Sequence, residues 1–84
     1  NLSDANLEGA SLVGANLRGI DLSDASMIRT NLTGADMTGA SLIGANFSHA
    51  NLEGADLTGA NYDSVTNWAK GFDPAAVGAV LVED

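Results

Sequence analysis

From Leu2 to Tyr62 a bulky apolar residue stands at every fifth position without interruption: Leu2, Leu7, Leu12, Leu17, Leu22, Met27, Leu32, Met37, Leu42, Phe47, Leu52, Leu57 and Tyr62. Two positions before each, from Leu7 onward, sits a compact residue, Ala except at Ile20 and Thr30. The position between the two is always Asn, Asp or Ser. A strict internal period is the signature of a repeat architecture. Helices want apolar spacings of three and four and ordinary strands want two, so a period of five fits neither. It fits a chain that points two residues inward on each short side and then turns a corner. Four such sides close a coil of about twenty residues, with Ala5–Leu7, Ala10–Leu12 and Ala15–Leu17 each sharing an inward face. Successive coils then stack at the interstrand spacing of about 4.8 Å, Leu over Leu and Ala over Ala.

The remaining positions agree with this square coil. Gly9, Gly14, Gly19, Gly34, Gly39, Gly44, Gly54 and Gly59 each follow the central apolar residue by two. A corner there uses the freedom of Gly to take positive φ. Asp4, Asp24, Arg29, His49 and Ser64 fill the same slot, so Gly is not obligatory. The Asn, Asp and Ser side chains are placed to bond neighbouring backbone or one another one coil up. In this register Asp36 lies below Asp56, and the two carboxylates are expected to sit apart in solvent. Asp36→Ala is then expected to be neutral or slightly stabilising, whereas Leu32→Ala removes a mid-ladder side chain and destabilises.

The runs ANLEGASLVGANLRG and ANFSHANLEGADLTGANYDS resemble the A(D/N)LXX pattern of pentapeptide repeat proteins. The resemblance spans residues 1–64 and implies a right-handed quadrilateral β-helix, an all-β repeat solenoid of about three coils; the handedness comes from the family and not from the spacing. Residues 1–64 are read as the β-helix and 65–84 as a C-terminal capping segment. After Ser64 the beat is lost, since the next central position falls on Asn67. Asp73 and Pro74 form a helix-start pair, predicting one or two turns over Ala75–Ala79 weakened by Gly78. Trp68, Phe72, Val77, Val80, Leu81 and Val82 supply apolar surface to cover the open end of the ladder. The Trp68, Gly71–Pro74 and Leu81–Glu83 pattern is similar to the endings of cyanobacterial pentapeptide proteins, which implies a cytoplasmic, periplasmic or thylakoid-lumen setting, the cytoplasm being favoured. The chain opens at Asn1 inside a repeat, so residues are expected upstream, where a targeting segment would lie.

Composition narrows the function more than it defines it. Eleven acids stand against three bases, for a formal charge of −8. That argues against direct binding to nucleic-acid phosphates or to an anionic membrane, both of which want Lys and Arg. No apolar run approaches the roughly 20 residues that span a bilayer. Cysteine is absent, so neither disulfides nor thiolate chemistry arise. His49 is the only imidazole, placed at an exposed corner beside Ser48, without a pocket. Asp21 and Asp24 share a side with Asp4 below, but a flat wall does not converge the six or more oxygens a hard cation wants. No phosphate-cradling, zinc-protease or nucleophile-elbow motif occurs. No cofactor and no enzymatic activity are expected.

Val13, Ile28 and Ile43 occupy the outward slot after the central residue; Ile28 and Ile43 are the candidate partner contacts. The reading is a non-enzymatic structural or protein-interaction module presenting a rigid acidic surface to a protein partner, with an N-terminal end open to end-to-end self-association. The alternative, implied by the family resemblance, is a DNA mimic that inhibits a topoisomerase-like DNA-binding protein. About 15 Å of DNA carries roughly nine charges, against a net −6 from eight acids and two bases in residues 1–64. Those acids are unevenly spread, with Asp4, Asp21, Asp24 and Asp63 on one side and Asp36 and Asp56 on another.

Overall fold

The structure, a computed structural model, describes residues 1–82. Glu83, which closes the Leu81–Glu83 pattern, and Asp84 lie outside the described residues. Parallel bridges join residues twenty positions apart along the chain: Asn6 to Ser26, Ser26 to Asn46, Ser11 to Asn31, Asn31 to Asn51, Asn16 to Asp36 and Asp36 to Asp56. Regular structure is thus single-residue bridges separated by turns, because each side is too short for a continuous strand. The walls are named here by their central residues: wall one holds Leu2, Leu22 and Leu42, wall two Leu7, Met27 and Phe47, wall three Leu12, Leu32 and Leu52, and wall four Leu17, Met37 and Leu57.

One repeat shows why the order compact–polar–bulky–outward–corner works. Ala35 N–H closes the turn to Leu32 at 2.9 Å, and Asp36 N–H reaches down to Ala15 at 2.9 Å. Met37 and Gly39 N–H reach up to Asp56 at 2.7 Å and Thr58 at 3.0 Å. The fifth N–H, of Thr38, donates to Asp36 Oδ1 at 3.1 Å. All five donors are satisfied, four by backbone and one by the polar side chain, as buried or half-buried backbone requires. Inside, Leu22, Met27, Leu32, Met37, Leu42, Phe47 and Leu57 are fully buried together with Ala35, Ala40, Ala45 and Ala60. Thr30 replaces Ala in this interior, and its hydroxyl donates to Leu7 O, one coil below, at 2.7 Å.

Corners take the left-handed conformation whatever the residue: Asp4, Asp24, Arg29 and His49 have φ of 58–61°, matching the corner glycines. Ser64 does not join them. The reason is one additional residue between Tyr62 and Trp68, which shifts the bridge partner of Asn46 to Asn67. The beat is therefore delayed by one residue after Ser64, and the central position falls on Trp68 and not on Asn67. Trp68 stacks on Phe47, and Phe72, Val77 and Ala79 pack against the core.

The expected helix over Ala75–Ala79 is a single 3₁₀ turn, η1 (Ala75–Val77), ended by Gly78 at φ 88°. Asp73 Oδ1 accepts from Ala75 N–H at 3.1 Å and Ala76 N–H at 3.4 Å, holding the start of the turn. Gly78 runs so close to the preceding coil that a Cβ there would lie 3.2 Å from Thr58 Cα. The chain then pairs β2 (Val80–Leu81) in parallel on β1 (Asn61–Tyr62).

Candidate functional site

The interior is filled by the ladders, so the functional surface is the set of walls and corners. On the walls the Asn and Asp side chains are mostly bonded to their own turn. Asn6, Asn16, Asp21, Asn31, Asp36, Asn46, Asn51 and Asp56 each accept the N–H two residues on, at 2.9–3.2 Å. Thr33, Thr38, Ser48 and Thr58 add their hydroxyls to the same oxygens at 2.6 Å. The serines at this slot behave differently: Ser26 and Ser41 hydroxyls turn to Glu8 and Ser23. Those serines precede Ile28 and Ile43.

These bonds set the acidity of the walls. The Thr38 hydroxyl and N–H hold the Asp36 carboxyl below its ordinary value, helped by Arg18, whose guanidinium lies 3.3 Å away. Thr58 does the same for Asp56, against the opposing charge of Asp36. Ser23 lowers Asp21 through hydroxyl and backbone. The stacked carboxylates are thus stabilised as anions by their own turns and not merely by separation in solvent.

Asp63 is the most heavily bonded carboxylate. Its Oδ1 accepts from Gly44 N–H at 3.2 Å, Val65 N–H at 3.2 Å, Thr66 N–H at 3.1 Å and the Thr66 hydroxyl at 3.0 Å. Burial opposes ionisation, but these donors outweigh it and the pKa is lowered. The side chain here takes the place of the carbonyl that elsewhere receives the corner N–H, as Ile43 O does from Asp24. Thr66 also donates to Leu42 O at 3.0 Å, repeating the Thr30–Leu7 bond one residue late. Sequence reasoning missed this pair, although Thr66–Asn67–Trp68 copies the order of Thr30–Asn31–Leu32.

Ile28 and Ile43 are half-buried and lie on walls two and one, whereas Val13 on wall three is 57% exposed. The structure does not bring the two isoleucines into one patch. The Ser48 hydroxyl is bonded to Asn46 and not to His49. No group of three or more His, Asp or Glu side chains converges as a metal site among the described residues, the Asp4, Asp21 and Asp24 cluster included. A shallow open groove of about 470 Å³ lies between Ala50–Glu53 and the Ala69–Phe72 turn. Behind Phe72, which lines the groove, Trp68 is wedged between Phe47, Tyr62 and Phe72, its Nε1 buried without a partner among the described residues.

The geometry matches known proteins. A solved pentapeptide repeat protein from Nostoc Pcc 7120 superposes with TM-score 0.80 at 38% identity, covering 98% of this chain and 76% of that one. A pentapeptide repeat protein of the Arabidopsis thaliana thylakoid lumen superposes with TM-score 0.63 at 32% identity. It covers 98% of this chain, which spans only 50% of the Arabidopsis protein. No curated protein matches the sequence significantly. The family model described as pentapeptide repeats (8 copies) matches residues 1–39 and, overlapping these, 25–61. With its five-residue beat, its twenty-residue register and these likenesses, the chain belongs to the pentapeptide repeat family.

Proposed function

We propose that this chain is a right-handed quadrilateral β-helix of about three coils, covered at its C-terminal end by residues 65–82, that serves as a non-enzymatic protein-interaction module. Family members are generally non-enzymatic repeat proteins. The observation that carries the reading is the wall bonding. Polar side chains of the kind catalysis recruits are bound within their own turn, accepting from a backbone N–H at 2.9–3.0 Å and from a neighbouring hydroxyl at 2.6 Å, as at Asn46–Ser48 and Asp56–Thr58. What faces outward is a stiff grid in fixed register, suited to contact a folded protein surface.

The DNA-mimic alternative draws on the stacked Asp36 and Asp56, but Arg18 interrupts that row with an ion pair at 3.3 Å.

The test uses single cysteines, which the chain lacks, at Ser23, Ser48, Thr33 and Thr58, one per wall, each carrying a photo-crosslinker. Adducts confined to one wall support an interaction module. Equal labelling of all four, or none, defeats it. A mimic is separated by salt, since its binding to a basic DNA-handling protein falls steeply with ionic strength.

A further inference from the structure

The four non-glycine left-handed residues all flank wall two. Asp4 and Asp24 stand at the corner where the chain enters it, Arg29 and His49 at the corner where it leaves. The corner from wall three to four is Gly14, Gly34 and Gly54, and the corner from four to one is Gly19, Gly39 and Gly59. Left-handed backbone disfavours a Cβ, so charged or imidazole side chains at these two corners are held against a conformational cost. Backbone strain of this kind concentrates at working surfaces.

Charge distinguishes the exit corner from the rest of the molecule. Arg29 N–H bonds Ser48 O at 3.0 Å, which sets Arg29 and His49 in register one coil apart. Above them runs the Ala69–Phe72 turn, carrying Lys70. Two of the three cations of a −8 chain and its only imidazole therefore gather on one edge. Arg29 and Lys70 have no ion-pair partner among the described residues, the pair there being Arg18–Asp36. Above Glu8, wall two presents no carboxylate, since its outer positions are Ser26, Ile28, Asn46, Ser48 and Asn67. At the top of the edge the groove begins, with Ala50, Leu52 and Phe72 as its floor and Lys70 and Glu53 on its rim.

Resting on the interaction-module reading, we propose that this edge binds an acidic protein segment. Its carboxylates lie along Arg29, His49 and Lys70, and one apolar side chain enters the groove over Leu52 and Phe72. Charge complementarity selects this occupant: an acid is repelled by the aspartates of walls one and four, and the two cations without an ion-pair partner among the described residues lie on this edge. Glu53 keeps the segment's acids on the corner side of the groove.

The probe is a short alternating Glu–Leu peptide, titrated against Trp68 fluorescence at low and high salt. Arg29→Gly and His49→Gly install the residue used at the all-glycine corners, so Tm is expected to hold or rise while affinity falls about tenfold for each. Asp4→Gly and Asp24→Gly relieve the same backbone without weakening binding. Undiminished binding by the Arg29 and His49 variants overturns the site, as does failure of the peptide to bind. Inorganic phosphate competing as well as the peptide overturns a peptide site in favour of a bare anion site. Saturable binding of a Lys–Leu peptide alone overturns this edge but leaves the interaction-module reading standing, which the wall-by-wall crosslinking decides separately.

Discussion

Trp68 lies on Phe47 with ring centroids 5.0 Å apart and planes 7° from parallel, although twenty-one residues and not twenty separate them. The stack carries the apolar ladder of wall two through an irregularity in the chain. Tyr62 meets Trp68 edge-on at 5.5 Å and Phe72 lies against it at 5.0 Å. The four rings pack on one another and against the core, where stacked and edge-on pairs add to simple burial.

Trp68→Ala is therefore expected to destabilise by roughly 3 kcal/mol, at the low end for an aromatic truncation because the residue is only half-buried. Trp68→Phe should lose far less, since it keeps a ring on Phe47 and removes the buried unpartnered Nε1, a group that itself costs about 1–3 kcal/mol. Urea unfolding midpoints of the two variants check the order. Equal losses would mean that the stack is not what holds the tail.

The interior pattern was legible because period and side-chain size report the same geometry. Leu32 and Ala35 could be placed inward, and the corners assigned positive φ, from spacing alone. The passage around Asp63–Thr66 was not legible in the same way, since one inserted residue shifts every later position. The tail also brings in Trp68 and Pro74, residue types that residues 1–64 do not contain. The edge at Arg29 and His49 was hidden for another reason: both occupy ordinary corner slots, and only the map of strained corners onto walls sets them apart.

Asp63 makes the inserted passage sensitive to acid. Its folded pKa is lowered from about 3.8 by the hydroxyl of Thr66 and the N–H groups of Gly44, Val65 and Thr66, against burial. A group with a depressed folded pKa stabilises fully above its unfolded value, and that contribution is lost as pH falls through the folded one. Asp21, Asp36 and Asp56 are lowered as well, so stability should fall below about pH 4. Asp63→Asn keeps an acceptor oxygen but removes the titration, and its decline should be shallower than that of the parent. Thermal midpoints across the acid range measure this; identical slopes would place the sensitivity on the wall aspartates.

Leu32 and Asp36 contrast the two surfaces of the wall. Leu32 is fully buried in mid-ladder, and Leu32→Ala should cost roughly 2–5 kcal/mol. Spacing alone suggested that Asp36→Ala would relieve Asp56. The structure instead gives Asp36 bonds from Thr38 N–H, the Thr38 hydroxyl and Arg18, so its removal should lower the midpoint slightly. A gain in midpoint for Asp36→Ala would show that repulsion between the stacked carboxylates dominates.

Gly44 and Gly34 share a left-handed backbone, φ 70° and 69°, yet differ in what surrounds them. A Cβ on Gly34 meets nothing within 4 Å, so Gly34→Ala should cost only the conformational penalty of about 1–2 kcal/mol. A Cβ on Gly44 would collide with Oδ1 of Asp24, whose carboxylate folds over that corner from the coil below. Gly44→Ala should therefore cost more than Gly34→Ala, by whatever displacing the Asp24 side chain requires. Asp24→Gly removes the obstacle and relieves its own left-handed backbone. The double variant should then recover most of the excess, with a coupling of about 0.5–3 kcal/mol expected of side chains in contact. If the two substitutions were additive in urea unfolding, Asp24 would have to leave the corner at no cost, and Gly44 would be held there by its backbone alone.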